Sequence, residues 1–124
     1  MNDNRPVNLD MTTIKLPLPA LVSILTRASG VFLFVAMAVL IYALDASLAS
    51  EESFNALKLE LASPLYKLVI WVIVAALIYH AASGIKHLFG DAGVGETLEG
   101  GILGAKIVVA VAAILIVVAG IWIW

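Results

Sequence analysis

Three long stretches of the chain are apolar at almost every position, without the alternation of a half-exposed strand or the polar face of a soluble helix. Their charge-free parts run over 28–44, 68–85 and 107–124. A run of this length makes roughly 26 Å of helix, and flanking residues complete the ~30 Å hydrocarbon core of a bilayer. Non-alternating spans in lipid are helices, because helices satisfy their own backbone hydrogen bonds.

The pattern therefore predicts an all-α integral membrane protein, a three-helix bundle in one domain with spans at about 21–45, 65–88 and 103–124. Prolines precede the first two spans, as is typical of helix starts. The polar segment 45–64 and the glycine-rich segment 90–101 are expected to be the connecting loops.

Composition supports lipid as the main solvent. The chain is 63% hydrophobic and 13% charged, with a mean hydropathy of +1.09, and a soluble domain of this length cannot cover so much apolar surface. The formal net charge is −2 with no Lys/Arg cluster, which argues against a nucleic-acid partner. Cysteine is absent, which excludes disulfides and thiolate-held metal clusters within this chain. The N-terminal segment lacks the basic region and cleavage site of a signal peptide, so the first span is expected to be retained.

The distribution of basic residues predicts the orientation. If the spans alternate, one side of the membrane carries five Lys/Arg residues and the other carries two; the five are Arg5, Lys15, Arg27, Lys86 and Lys106, and the two are Lys58 and Lys67. The side richer in Lys/Arg is cytoplasmic. The N-terminus and the glycine-rich loop are therefore expected in the cytoplasm, and His80 lies in the cytoplasmic half of the second span.

His80 is the strongest candidate for a functional residue, because an ionisable residue inside a membrane span is costly and usually functional. The face around it is small: Ala76, Ser83 and Gly84 lie three or four residues away. Histidine is the commonest metal ligand. The small residues around His80 leave the clearance that a flat metal-binding macrocycle needs. Close packing of helices, with a neutral imidazole as a polar contact, explains the same spacing.

His87, the only other histidine, lies one heptad further along the same face, about 10.5 Å along the axis. Both imidazoles cannot bind one iron at about 2 Å each, so a haem with two histidine ligands needs its second one from another chain. Near the helix end, His87 would be level with the propionates of such a haem. The alternative is that His87 is only a polar residue at the membrane interface, near the end of the helix.

Ser23 and Arg27 form the second candidate pair, because residues four apart share one helix face. A hydroxyl donor beside a fixed cation can bind a quinone carbonyl and a carboxylate such as a propionate. An arginine at this depth otherwise extends to lipid phosphates.

Three motifs together resemble one known family. They are RPVNLD at 5–10, SILTRASG at 23–30 and HAASGIKHLFGD at 80–91. With the three spans and the loop sizes, they resemble the cytochrome b membrane-anchor subunit of bacterial succinate dehydrogenase, the succinate:quinone oxidoreductase of respiratory complex II. The resemblance covers the whole chain.

The resemblance implies specific roles. His80 would be one axial ligand of haem b, His87 and Arg27 would lie at its propionates, and Ser23 with Arg27 would bind ubiquinone. Lys86 and Asp91 belong to the same motif as His87 and are further candidates; no catalytic residue is expected. Two positions depart from the family: Thr26 stands where a histidine is usual, and Lys86 replaces an arginine and loses its bidentate fork.

The resemblance also implies partners: a second membrane-anchor subunit, an iron–sulfur subunit and a flavoprotein subunit, at the bacterial cytoplasmic membrane. The chain would then be a non-dehydrogenase subunit of an enzyme, passing electrons from succinate to quinone. Two other readings remain, a membrane anchor without a redox role and a small proton-conducting or transport subunit. Absorption bands of haem b would distinguish the cytochrome b subunit from both of these alternatives.

Overall fold

The computed structural model describes residues 5–10 and 12–124, and this part of the chain folds into four helices with no strand. The helices are α1 (Leu18–Ala49), α2 (Glu51–Leu61), α3 (Pro64–Asp91) and α4 (Leu98–Ile123). The all-α prediction is confirmed.

Three helices, α1, α3 and α4, are long and apolar enough to cross a membrane, as the hydrophobic pattern predicts. Only a small share of each is buried inside the chain, and side chains such as Phe34 (83% exposed) and Trp122 (87% exposed) point away from it. Helices that are apolar all round need lipid or another membrane subunit against their outer faces.

The helices extend beyond the spans expected from hydrophobicity alone. The prediction of a loop over 45–64 is wrong. Helix α1 continues to Ala49, and most of the remaining polar segment is α2. The Ser50 hydroxyl accepts a hydrogen bond from Ser53 N at 3.0 Å and caps the helix. The carboxylates of Glu51 and Glu52 lie in the first turn, where they interact favourably with the positive end of the helix dipole. Capping and charge placement therefore make this short polar segment helical.

The glycine-rich connection is shorter than expected, because α3 continues to Asp91 and α4 begins at Leu98. Thr97 caps α4 through its hydroxyl, which accepts from Gly100 N at 3.0 Å. Gly95 has φ +73°, and a Cβ on Gly100 would lie 2.8 Å from Gly95 Cα, so both positions require glycine.

Small residues let the three long helices approach closely at the end where the chain enters α1. Val22, Ala105 and Val108 are buried there, and Tyr79 packs against them. At the opposite end, Trp71 Nε1 donates to the Ile116 carbonyl oxygen at 2.9 Å. The bundle is thus fixed at both ends, and α3 contacts both α1 and α4.

Candidate functional site

The His80 side chain lies between α3 and α1 and is half-buried. Its Nδ1 is 2.9 Å from the Ser29 hydroxyl oxygen and 3.2 Å from the Thr26 carbonyl oxygen. Its other ring nitrogen, Nε2, has no hydrogen-bond partner within the described residues, and no buried side-chain nitrogen or oxygen of those residues lacks a partner. Nε2 therefore reaches the surface of the chain, where a group from outside can bind it.

A seam of polar contacts holds α1 against α3 beside this histidine. The Thr26 hydroxyl donates to the Val22 carbonyl oxygen at 2.7 Å and lies 2.5 Å from the Ser83 hydroxyl. The Tyr79 hydroxyl donates to the same Val22 carbonyl at 2.6 Å. Ser83 is fully buried. Such bonds between membrane helices contribute about 0.6 kcal/mol each and fix the register of the pair.

Two glycines lie next to the imidazole, one in close contact and one beside open space. A Cβ on Gly30 would lie 3.1 Å from His80 Cε1, a separation at which the ring would have to shift. A Cβ on Gly84 would meet nothing within 4 Å, so the surface of α3 next to His80 is open. The small residues near His80 therefore differ in role: Ser83 packs against Thr26, whereas Gly84 leaves free space.

Ser23 and Arg27 lie on the strip of α1 that borders this open side. Ser23 and Gly30 are one heptad apart and Arg27 follows Ser23 by four residues, so the three share a face, and Gly30 touches His80. Ser23 is half-buried and Arg27 is exposed. Neither side chain has a hydrogen bond or ion pair within the described part of the chain, so both are available to a ligand or a second chain.

The remaining candidates, Lys86, His87 and Asp91, lie near the end of α3. They line a mostly apolar groove of about 760 Å³ between α3 and α4. The Lys86 side chain packs along α4, and its Cε would lie 3.0 Å from a Cβ on Gly104. His87 and Asp91 are exposed and have no hydrogen-bond partner in the described chain. The fold does not bring His87 or Asp91 against His80; they lie closer to the end of the helix.

The motif at 5–10 has no regular secondary structure, and its polar residues make local hydrogen bonds ahead of α1. The Asp10 carboxylate accepts hydrogen bonds from Thr12 N at 2.9 Å and from the Thr12 hydroxyl at 2.8 Å. These bonds to the charged form hold the pKa of Asp10 below its usual value. Asn8 Oδ1 in turn accepts from Asp10 N at 3.0 Å. The polar residues of this motif therefore shape the segment entering α1.

Sequence reasoning missed two residues that contact His80, Thr26 and Ser29. The sequence marks Thr26 only as a position where the family usually has a histidine. The structure shows that Thr26 packs against α3, where its hydroxyl contacts that of Ser83. The sequence holds only a partial signal: Thr26 and Ser29 are polar residues three apart, but Ser23 precedes Thr26 by the same interval.

The arrangement offers one imidazole nitrogen, Nε2 of His80, at the outer surface of the helix bundle. The hydroxyl of Ser23 and the guanidinium of Arg27 lie nearby on α1. No group of three or more metal-ligating side chains occurs within residues 5–10 and 12–124. A group that brings most of its own ligands needs only one from this chain.

The chain resembles proteins of one family, and the family profile and one relative match nearly its full length. The profile of the family described as succinate dehydrogenase/fumarate reductase transmembrane subunit matches residues 1–119. The succinate dehydrogenase cytochrome b556 subunit of Coxiella burnetii is 42% identical over 125 residues, covering 100% of both chains. The subunit of the same name from Paracoccus denitrificans is 33% identical over 77% of this chain and 74% of its own. The one from Rickettsia bellii is 31% identical over 78% and 75%.

Proposed function

Since the chain belongs to the succinate dehydrogenase/fumarate reductase transmembrane subunit family, we propose that it binds haem b and ubiquinone together with a second membrane-anchor subunit. In this proposal it docks the iron–sulfur and flavoprotein subunits to the membrane. Electrons from succinate then reach quinone at a site that this chain helps to form. The chain has no cysteine for an iron–sulfur cluster, so it depends on those subunits for succinate oxidation.

The observation that carries the proposal is the state of His80. Its Nδ1 is occupied by Ser29 and the Thr26 carbonyl, while Nε2 is unpartnered within the described chain and reaches its surface. A haem brings most of the ligands of its own iron, so this chain would need to provide only one. One imidazole beside the open space at Gly84 fits this requirement. The second axial ligand is expected from the other anchor subunit.

His80 would hold the iron, and His87 and Arg27 would bind the propionates. Cationic or hydrogen-bonding side chains stabilise such carboxylates near the membrane surface. Lys86 and Asp91 lie at the same end of α3 and are candidates for the same region. When bound, the haem would supply a one-electron redox centre.

Ser23 and Arg27 would bind the quinone. A serine hydroxyl donates one hydrogen bond to a carbonyl oxygen, and a guanidinium both donates and carries a positive charge. They share a helix face with Gly30, which lies against His80, and this supports a quinone site next to the proposed haem site. The charge of Arg27 favours electron arrival at the quinone, since it stabilises negative charge developing on the carbonyl oxygen.

The proposed orientation places the N-terminus in the cytoplasm of a bacterium, with α2 on the outer side of the cytoplasmic membrane. The five-to-two asymmetry of Lys/Arg supports it. The end carrying Arg27 and His87 then faces the soluble subunits. Electrons from the iron–sulfur subunit therefore enter at the end where the quinone is proposed to bind.

Labelling of single cysteines tests this orientation. The native chain has no cysteine, and Glu52 and Glu96 are both exposed, so Glu52→Cys and Glu96→Cys form a matched pair. We expect a membrane-impermeant maleimide applied to intact spheroplasts to label the cysteine at 52 and to spare that at 96. Both should react after permeabilisation, which controls for thiol reactivity. Labelling at 96 alone in intact cells would contradict the orientation.

Isolation of the complex through an affinity tag on this chain tests the proposal as a whole. We expect the flavoprotein, the iron–sulfur subunit and a second anchor to co-purify, together with succinate:quinone activity and haem b. A membrane anchor without a redox role is the second candidate, because the bonds of His80 to Ser29 and Thr26 also satisfy a histidine that only packs helices. In that case the soluble subunits co-purify and haem does not.

A further inference from the structure

We infer that Ser29 and the Thr26 carbonyl hold His80 in the tautomer whose proton is on Nδ1, which leaves the lone pair on Nε2. Ser29 is then a positioning residue for the ligand. It orients the imidazole and strengthens it as a donor without touching the iron. The inference rests on the proposed function, because it assumes that His80 binds haem.

The direction of the bonds follows from the number of protons available. The Ser29 hydroxyl has one proton, and its oxygen lies 2.8 Å from the Thr26 carbonyl oxygen, which can only accept. The hydroxyl therefore donates to Thr26. With its proton committed, Ser29 can only accept from His80 Nδ1 at 2.9 Å.

The Thr26 carbonyl provides an independent argument for the same tautomer. It lies 3.2 Å from His80 Nδ1 and has no proton to give. With the proton on Nε2 instead, the lone pair of Nδ1 would face the lone pairs of this carbonyl. With the proton on Nδ1, both Ser29 and Thr26 oxygens accept, and one N–H satisfies two neighbours.

The surroundings keep the ring in this position. Gly30 lies against the Cε1 edge of the imidazole, where an added Cβ would be 3.1 Å away. Thr26 is itself fixed through its hydroxyl, which bonds Val22 and contacts the buried Ser83. A rigid acceptor pair on one side and a closely packed helix backbone at the ring edge resist rotation of the ring.

Such an arrangement acts on a bound metal through the ligand. A histidine that donates its distal N–H to an oxygen is a more basic ligand, and its orientation is fixed before the metal arrives. A more basic axial ligand favours the ferric over the ferrous state. Ser29 is therefore expected to lower the haem midpoint potential and to slow haem loss.

Ser29→Ala in the assembled complex tests the inference. We expect an upward shift of the haem midpoint potential in a spectroelectrochemical titration, a change in the electron paramagnetic resonance g values of the oxidised haem, and haem loss faster by about 10–100-fold. Ser29→Thr retains a hydroxyl and should restore the native potential.

Ser47→Ala is the matched control. Ser47 is on the same helix, and its hydroxyl makes the same local bond, to the Leu44 carbonyl oxygen at 2.7 Å, but it has no bond to α3. We expect this variant to match the native complex in all three measurements. An equal shift in Ser29→Ala and Ser47→Ala would contradict a positioning role, since it would trace to helix stability alone.

The outcomes separate this inference from the proposed function. A native complex without haem bands overturns both. Native haem with an unchanged potential and unchanged g values in Ser29→Ala overturns only the role of Ser29. If the alanine variant does not assemble, Ser29→Cys decides, because a thiol has similar size and is a weak acceptor. An upward potential shift in Ser29→Cys supports the inference, and an unchanged potential rejects it.

Discussion

Replacement of His80 by alanine is expected to remove haem b from the assembled complex. The lost imidazole has no substitute, because the only other histidine, His87, is one heptad away, about 10.5 Å along the helix. Thr26, at the position where the family usually has a histidine, has a hydroxyl that is already bonded to Val22. Haem content measured by pyridine haemochrome against the flavin content of the same preparation checks this expectation.

His87→Ala is the control for that experiment. His87 is exposed near the helix end and is proposed to meet only the propionates. We expect its loss to retain haem with a shifted midpoint potential or lower occupancy. Retention of haem in His80→Ala together with its loss in His87→Ala would reverse the assignment of the two histidines.

Ser23→Ala and Arg27→Leu are expected to lower quinone reduction while electron transfer to an artificial dye persists. The serine change would remove the hydrogen bond proposed between Ser23 and the quinone, which costs on the order of 1 kcal/mol, or about fivefold. The arginine change removes a charged donor, for which about 1.5–3 kcal/mol is typical, and so has the larger effect. The dye takes electrons from the soluble subunits and bypasses the membrane site.

The ratio of quinone turnover to dye turnover, in membranes with equal complex content, is the decisive quantity. Arg27→Lys should give an intermediate ratio, because it keeps the charge but loses the planar fork. Ser47→Ala, on the same helix and away from the site, should leave the ratio unchanged. An unchanged ratio in both Ser23→Ala and Arg27→Leu would place the quinone site elsewhere and return Arg27 to contacts with lipid phosphates.

The three spans were predictable from the sequence because a bilayer imposes a minimum length of apolar helix that few other environments require. The family was also predictable, since the motifs at 5–10, 23–30 and 80–91 carry distinctive residues at distinctive separations. The full-length match to a relative at 42% identity confirms that resemblance.

Helix α2 was not predicted, because its stability does not come from hydrophobic pattern. It depends on the Ser50 cap and on a contact with α1, in which the Ser53 hydroxyl donates to the Ala46 carbonyl oxygen at 2.6 Å. A polar segment of eleven residues also resembles a loop in composition. Such short helices are decided by local capping and neighbouring structure rather than by apolar periodicity.

The contacts of His80 could not be read from spacing. Ser23, Thr26 and Ser29 are polar residues on one turn or the next of the same helix, and the sequence does not say which of them faces α3. Packing decides it: Thr26 and Ser29 meet α3, whereas Ser23 shares the strip with Arg27. The rotation of α1 about its axis depends on tertiary packing. It decides which polar residues contact His80 and which are left for the proposed quinone site.

The visible spectrum of the complex, purified through a tag on this chain, tests whether His80 holds haem b. The spectrum is recorded before and after addition of succinate and then dithionite. We expect sharp α and Soret bands of a reduced b-type haem in the native complex and their absence in His80→Ala. A native complex that contains the soluble subunits and transfers electrons to quinone, yet shows no haem bands with either reductant, would contradict haem binding by this chain.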